Sequence, residues 1–485
     1  MSSFPLNGTS KDALLNSMQQ LIKHDANYKD GKIWSLVYYS GDELSDFLQK
    51  AYCERWNESS ANEDLFPAIV ELEKEVISIA SHLLNGNENT CGNITSGGTE
   101  SILLAIKTAR DYARITKPHI THPEIILPAT AHPAFFKAAK YFDIKPITVV
   151  VDSDFRADIL AIKNNITSNT ILVMGSAPNY PQGVVDPIAE IAQLALEYNL
   201  WCHVDACVGG FLLPFVKKAG FPVPDFDFCV EGVTSISADI HKYGYAARGA
   251  SLVLYKNKAL YQYQAYSADD WYGKKYISNT LLGARPAGPI VAAWSILQCL
   301  GEEGYLKLAN EVMHTASKIK NAIASIPELK ILGNPSACVL GIASDELDIY
   351  MLGDELDVLG WNLERQQLPP SLHLVITPAH TQASEKLISD LHIAVQKLRK
   401  GKWRQALTSA QAKLTSMAIN ILPMGLVKKF NNTSSATKPQ SEKKQRSAPM
   451  YGMIGAVSNR ENIQEFIIDF LDEVTTIKKE KNEPR

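Results

Sequence analysis

The sequence predicts an α/β chain, with a large domain on a mainly parallel sheet covered by helices on both faces and a smaller α+β domain behind it. Three observations carry this reading. Short apolar runs alternate with helical stretches, the residues suited to chemistry stand just past those runs, and the pattern changes near Asn310. At 485 residues the chain also exceeds the roughly 250–300 at which a single core stops growing.

Taken in order, Ile69, Val70, Leu72, Val76, Ile79, Ala80 and Leu83 recur at helical spacing behind Pro67, which predicts a helix over 66–84. A second helix is expected from Thr99, read as its cap, to Arg114, with Ile102, Leu103, Ile106 and Ala109 on one face and Gly97-Gly98 just before it. Strands follow at Glu124–Leu127, Ile147–Val151, Thr170–Met174, Trp201–Asp205 and Ser235–Ala238, with a helix over Pro187–Asn199. Strands alternating with helices make parallel neighbours, whose ligands bind beyond the strands' carboxyl ends. From Asn310 to about Lys400 the sequence reads as a long helix, β-like segments near Cys338–Ile342 and His373–Thr377, and another helix. The run NNTSSATKPQSEKKQRS over 431–447 is polar and free of aromatics, as a flexible insertion would be. The apolar stretch 414–426 is interrupted by Pro423 and too short to span a bilayer, so a buried helix end is favoured over peripheral membrane contact.

Composition is that of a globular protein, 46% hydrophobic and 21% charged. With 48 basic against 52 acidic residues, there is no footprint for a nucleic-acid partner. The seven cysteines are scattered and form no CxxC pair, the pattern of reduced thiols, and no metal site is expected. The first residues lack a basic region followed by an apolar run, so the expectation is a soluble cytoplasmic chain with no transmembrane segment.

The strongest chemical signal is SISADIHKYG, Ser235 to Gly244, which puts Lys242 immediately beyond a strand as a candidate Schiff-base lysine for pyridoxal 5′-phosphate. That cofactor needs an acid for its ring nitrogen, and Asp205 ends the strand HVD. Its phosphate needs backbone donors at a helix start, which TSGGT supplies at Gly98 and Thr99. His132, in Ala-His-Pro, offers a flat ring to cover it. Each signal alone is weak, since a strand-end Asp is more often a turn former and an isolated His more often structural; together they are specific.

The runs TSGGTESILLA, AHPAFFKAAKYF, SAPNYPQGVVDP, HVDACVGGF and SISADIHKYGYAARGASLVLY resemble those of the sphingosine-1-phosphate lyases, a group within the group II decarboxylase branch of fold-type I pyridoxal-phosphate enzymes. VYYSGDE near Tyr38, GWNLERQQLPPSLHLVIT and MYGM at Met450–Met453 resemble the lyases specifically, so the likeness runs from about Lys32 to about Asp472. The resemblance implies a seven-stranded sheet in a large domain over 66–305, a small domain over 306–485, and a segment 1–65 that contributes to a dimer and its active site. It implies that Lys242 carries the cofactor, Asp205 pairs with its ring nitrogen, His132 stacks on the ring, and Gly98, Thr99 and His241 bind the phosphate. It implies a homodimer with shared sites, in which Gly283 and Ala284 reach the partner's cofactor phosphate. Tyr38 and Tyr180 match tyrosines near the substrate, a phosphorylated long-chain base; with Tyr38, Arg248 stands where the family has a lysine suited to the substrate phosphate.

The implied reaction is retro-aldol cleavage of sphingosine 1-phosphate to a long-chain aldehyde and phosphoethanolamine. A tyrosine, a histidine or the cofactor phosphate could take the 3-hydroxyl proton. Asn62 replaces a family histidine, Ala284 a serine and Lys274 a glycine. The alternatives are amino-acid decarboxylation, cleavage of another phosphorylated amino alcohol, or a silent relative that binds a lipid or a partner protein.

Overall fold

The computed structural model describes residues 4–400 of the chain except 24, 61–63 and 274. The insertion read at 431–447, the apolar stretch 414–426, Met450–Met453, Asn62 and Lys274 lie outside the described residues.

Seven strands form the large sheet: β1 (Cys91–Thr95), β2 (Glu124–Pro128), β3 (Lys145–Val149), β4 (Thr170–Ser176), β5 (Trp201–Asp205), β6 (Ser235–Ala238) and β7 (Ser251–Tyr255), in the order β1-β7-β6-β5-β4-β2-β3. The pairs β2–β3, β2–β4, β4–β5 and β5–β6 are parallel, and β7 is antiparallel to both β1 and β6. Six strands therefore run one way, and their carboxyl ends meet at one edge. The strands read as continuous apolar runs because both faces are buried. Along β4, Val173 joins one core cluster while Leu172 and Met174 join the other; along β7, Leu252 and Leu254 alternate with Val253 and Tyr255 in the same way.

The helix Pro67–Leu83 forms as expected behind its first-turn proline. The next helix runs Gly98–Thr116, and Gly97, not Thr99, is its N-cap. Thr99 lies inside the first turn because the turn closes on the Gly97 carbonyl, which accepts the Ser101 N–H at 3.1 Å. The strand expected over Ile147–Val151 is also shifted, to Lys145–Val149. Val151 leaves the ladder to bridge Ala157, across a turn in which Asp152 Oδ1 accepts the N–H groups of Asp154 and Arg156.

Past the large sheet come a hairpin, β8 (Tyr266–Ala268) with β9 (Tyr276–Ser278), and a long helix, Ala287–Ala324, broken at Gly301, whose φ of 54° lies in the left-handed region. The boundary expected at residues 305/306 falls inside that helix, just past the break. A four-stranded antiparallel sheet follows, β10 (Lys330–Ile331), β11 (Val339–Ala343), β12 (Glu364–Gln367) and β13 (Pro370–Val375), in the order β10-β11-β13-β12, with helices Ile349–Val358 and His380–Lys400. This second sheet is tied to the first sheet's carboxyl edge. Gln366 Nε2 donates to Pro181 O at 3.0 Å, and Tyr243 Oη donates to Ile376 O at 2.9 Å. Among the described residues, no helix is long and apolar enough to cross a membrane.

Candidate active site

The turn after β6 carries Lys242 back over the sheet edge, where its Nζ lies 2.9 Å from Asp239 Oδ2. Burial alone would lower the lysine's affinity for its proton, but the Asp239 carboxylate outweighs it and holds Lys242 above its ordinary value. Burial likewise opposes the charge on Asp239, and Lys242 with His241 restores it, so the acid lies below its usual range. His241 Nε2 is 3.7 Å from the same oxygen. Asp239 stands inside the motif from which Lys242 was read but was not itself singled out. Its place three residues before the lysine, at the other end of one tight turn, was the available signal.

Asp205 ends β5 one strand over, and its Oδ1 accepts the Cys207 N–H at 3.0 Å and the Ser237 hydroxyl at 3.4 Å. The pairing of Asp205 with Ser237 across β5–β6 brings that hydroxyl into place. Behind it, His203 lies between Ser235 Oγ at 2.8 Å and Ser237 Oγ at 3.3 Å, and Trp201 Nε1 donates to Ser235 Oγ. Burial pushes His203 down to about 4, so the imidazole is neutral and offers one donor and one acceptor to the two serines.

The third wall is the start of the helix Gly98–Thr116, whose first turn has no side-chain cap. Its N–H groups are thus free for an anion, at the positive end of the helix dipole. A Cβ on Gly98 would fall 2.8 Å from both Asp239 oxygens and from Cys207 Sγ, so only glycine fits between helix start and lysine turn. Glu100, also unanticipated, braces this turn: one oxygen accepts the Ser96 N–H and hydroxyl at 2.7 and 2.6 Å, and the other accepts the Leu281 N–H at 2.9 Å.

His132 caps the helix Pro133–Tyr141, its Nδ1 accepting the Ala134 N–H at 3.2 Å. Burial lowers its pKa, although Asp205 pulls the other way. The proton of the neutral ring therefore sits on Nε2. Tyr180, beyond β4, donates to Glu364 Oε2 and packs against His373, with ring centroids 4.3 Å apart. Lys242, Asp205, His132, Gly98, Thr99, His241 and Tyr180 line one cavity of about 360 Å³. Tyr38 and Arg248 line an adjoining cavity of about 320 Å³, with His241 common to both and the guanidinium 5.9 Å over the Tyr38 ring. Burial pushes the Tyr38 phenol up to about 12. Gly283 and Ala284 are exposed and lie outside both cavities. Arg285, next in their loop, pairs with both carboxylate oxygens of Glu73 and donates to Ile94 O.

The model of the pyridoxal-dependent decarboxylase conserved domain matches residues 2–340. The sphingosine-1-phosphate lyase of Oryza sativa subsp. japonica is 42% identical over 394 residues, 80% of this chain and 73% of that protein. Sphingosine-1-phosphate lyase 1 of Rattus norvegicus is 39% identical over 421 residues, 86% and 73% respectively. Among solved structures, a sphingosine-1-phosphate lyase of Burkholderia pseudomallei K96243 superposes with a TM-score of 0.80 at 35% identity, covering 85% of this chain and 96% of that one. The chain belongs to the sphingosine-1-phosphate lyase branch of the pyridoxal-dependent decarboxylase family. A glutamate decarboxylase of Lactobacillus brevis, with a TM-score of 0.71 at 18% identity, shares the fold. The fold is therefore fold-type I, and the family's cofactor is pyridoxal 5′-phosphate. The cavity suits that group. It joins a buried lysine, a strand-end carboxylate and an uncapped helix start at a glycine that no other residue could replace.

Proposed function

We propose that the chain is a pyridoxal-phosphate-dependent carbon–carbon lyase that cleaves sphingosine 1-phosphate between Cα and Cβ, giving a long-chain aldehyde and phosphoethanolamine. The carrying observation is that proteins named sphingosine-1-phosphate lyase match about four-fifths or more of the chain at 35–42% identity, including a bacterial structure covered over 96% of its length.

When bound, the cofactor supplies an electron sink for the pair released from the Cα–Cβ bond. Lys242 would attach it, and Asp205, held in position by the Cys207 N–H and Ser237, would keep its ring nitrogen protonated. His132 covers the ring, and Gly98, Thr99 and His241 hold its phosphate at the helix start. Arg248 and Tyr38 receive the substrate phosphate in the adjoining cavity, and Tyr180 serves the proton transfers. The active form is a homodimer in which Gly283 and Ala284 reach the partner's cofactor. In support, the helix Lys11–Ile22 buries none of its residues and exposes Leu14, Leu15, Met18 and Leu21, and the β8–β9 hairpin exposes Trp271 and Tyr272. Seven free cysteines fit a reducing cytoplasm.

The test is to incubate protein and pyridoxal phosphate with sphingosine 1-phosphate and assay aldehyde, phosphoethanolamine and carbon dioxide together. Aldehyde and phosphoethanolamine in equal amounts are expected. Neither product from the cofactor-loaded protein, with carbon dioxide released from an amino acid, would overturn the reading.

A further inference from the structure

The lyase reaction needs a group that removes the proton of the substrate's 3-hydroxyl. Most of the titratable groups around the cavity are poorly placed for it. His132 spends its unprotonated nitrogen on the Ala134 N–H. Lys242 is held protonated by Asp239. Tyr38 is half-buried, and its phenol keeps its proton throughout the physiological range.

Tyr180 differs in one respect: its proton already points at a carboxylate. The Oη donates to Glu364 Oε2 at 2.5 Å, across 184 residues of sequence. A phenol that gives its hydrogen to a carboxylate presents only lone pairs on its other side, and Tyr180 lines the cavity that holds Lys242. Glu364 opens β12 and pairs across the ladder with His373 of β13. The His373 ring packs on the Tyr180 ring, with Nδ1 3.3 Å from Pro181 O. Burial pushes His373 down to about 4, so it brings no charge to compete for the carboxylate. On the cavity side, Tyr180 shares its walls with Lys242.

We infer that Glu364 is the proton acceptor behind Tyr180 in carbon–carbon cleavage. The substrate's 3-O–H bond breaks as a new O–H bond forms at Tyr180 Oη, and the original Tyr180 proton passes to Glu364 Oε2 in the same event. No free phenolate forms, which removes the objection that burial and the neighbouring carboxylate hold this phenol far above neutral pH. The electron pair left on the substrate oxygen becomes the aldehyde C=O as Cα–Cβ breaks. The cofactor, when bound, would supply the sink for that bond's pair. Once the aldehyde has left, the pair hands a proton back to the substrate's α carbon, and Glu364 ends as it began. Glu364 acts through Tyr180 and is a positioning residue, not a group that touches substrate.

This inference rests on the lyase reading, and its test separates the two. Glu364→Gln keeps the side chain's size and an acceptor oxygen, so a mere strut between the sheets would survive it. With the holoenzyme and sphingosine 1-phosphate, kcat should fall by roughly 10²-fold while KM and the cofactor's visible absorption stay put, in line with the usual worth of general base catalysis. Glu364→Asp should restore part of the lost kcat. A second readout needs no turnover. In apo protein carrying Cζ-labelled tyrosine, with the signal assigned through Tyr180→Phe, the NMR titration midpoint of Tyr180 should drop in Glu364→Gln, because an accepting negative charge has been removed. Wild-type kcat in Glu364→Gln, or an unmoved Tyr180 titration, would overturn the relay while aldehyde formation still upheld the lyase. No aldehyde from the wild-type protein would overturn the lyase reading and the relay together.

Discussion

The two sides of the cavity are built differently. On the Lys242 side, all the contacts but Glu100 with Leu281 link residues close in sequence or paired across adjacent strands: Asp239 with Lys242, Ser96 with Glu100, His132 with Ala134, Asp205 with Cys207 and Ser237. Support there is doubled, since Asp205 Oδ1 and Glu100 Oε2 each accept two donors. On the Tyr180 side the contact crosses from one sheet to another, and the hydroxyl has one acceptor, Glu364. A carboxylate oxygen with two donors tolerates the loss of one, whereas the Tyr180 hydroxyl depends on a single acceptor.

The harshest way to break this comparison is to remove the lysine. Lys242→Ala should reduce aldehyde formation to background and abolish the cofactor's visible absorption. It also leaves Asp239 buried without its cation, and breaking a buried pair typically costs about 3–5 kcal/mol. The variant should therefore melt earlier than wild type, and adding Asp239→Asn should recover most of that loss without recovering activity. Full activity in Lys242→Ala would end the assignment. A double variant no more stable than the single would show that Lys242 and Asp239 do not act as a pair.

Acid should load both sides at once. His203 backs the Lys242 side, His373 backs the Tyr180 side, and His380 sits between Thr377 and the Ile33 carbonyl; burial pushes each down to about 4, against 6.5 for an ordinary imidazole. Groups depressed in the folded state contribute stability that is complete above pH 6.5 and lost as pH falls toward 4, because the unfolded chain takes the proton first. Each contributes up to about 1.4 kcal/mol per pH unit across that window. Buried Asp186, pushed up to about 6, has the opposite sign and offsets one histidine between pH 6 and its unfolded value. Urea midpoints should fall steadily from pH 6.5 to 4.5, and His380→Gln should make that decline shallower. A flat profile would mean that these rings are not held neutral.

How much of this was legible in the sequence follows the same division. Lys242, Asp205, Gly98, Thr99 and His132 could be read because strand ends, a glycine pair and a helix start are local signals, and the structure gathers them into one cavity. The cap read at Thr99 lies two positions past the true one, because a threonine hydroxyl advertises a cap, whereas the Gly97 carbonyl closes the turn here. Asp239 and Glu100 were local but unread, each hidden within a motif whose louder residues drew the assignment. Glu364 lies within the run GWNLERQQLPPSLHLVIT, but nothing in that run sets it apart from its neighbours. It sits in a polar stretch, and its importance arises only when β12 meets the loop after β4. The 212-residue reach from Arg285 to Glu73 is of the same kind.

The smallest expected effect gives the sharpest test of redundancy. Ser237 Oγ stands between His203 Nε2 at 3.3 Å, Cys207 Sγ at 3.4 Å and Asp205 Oδ1 at 3.4 Å, all long contacts. Ser237→Ala removes one of the two donors on Asp205 but leaves the shorter Cys207 N–H in place, so the carboxylate keeps its position. Stability should fall by about 1 kcal/mol, the usual net worth of a hydrogen bond, and kcat by only a few-fold. The comparison that matters is with Glu364→Gln, where a single bond stands alone and the loss should be roughly 10²-fold. If Ser237→Ala costs as much activity as Glu364→Gln, doubled support at Asp205 is an illusion of the geometry. The Cys207 N–H alone would then be too weak to aim the acid that keeps the cofactor's ring nitrogen protonated.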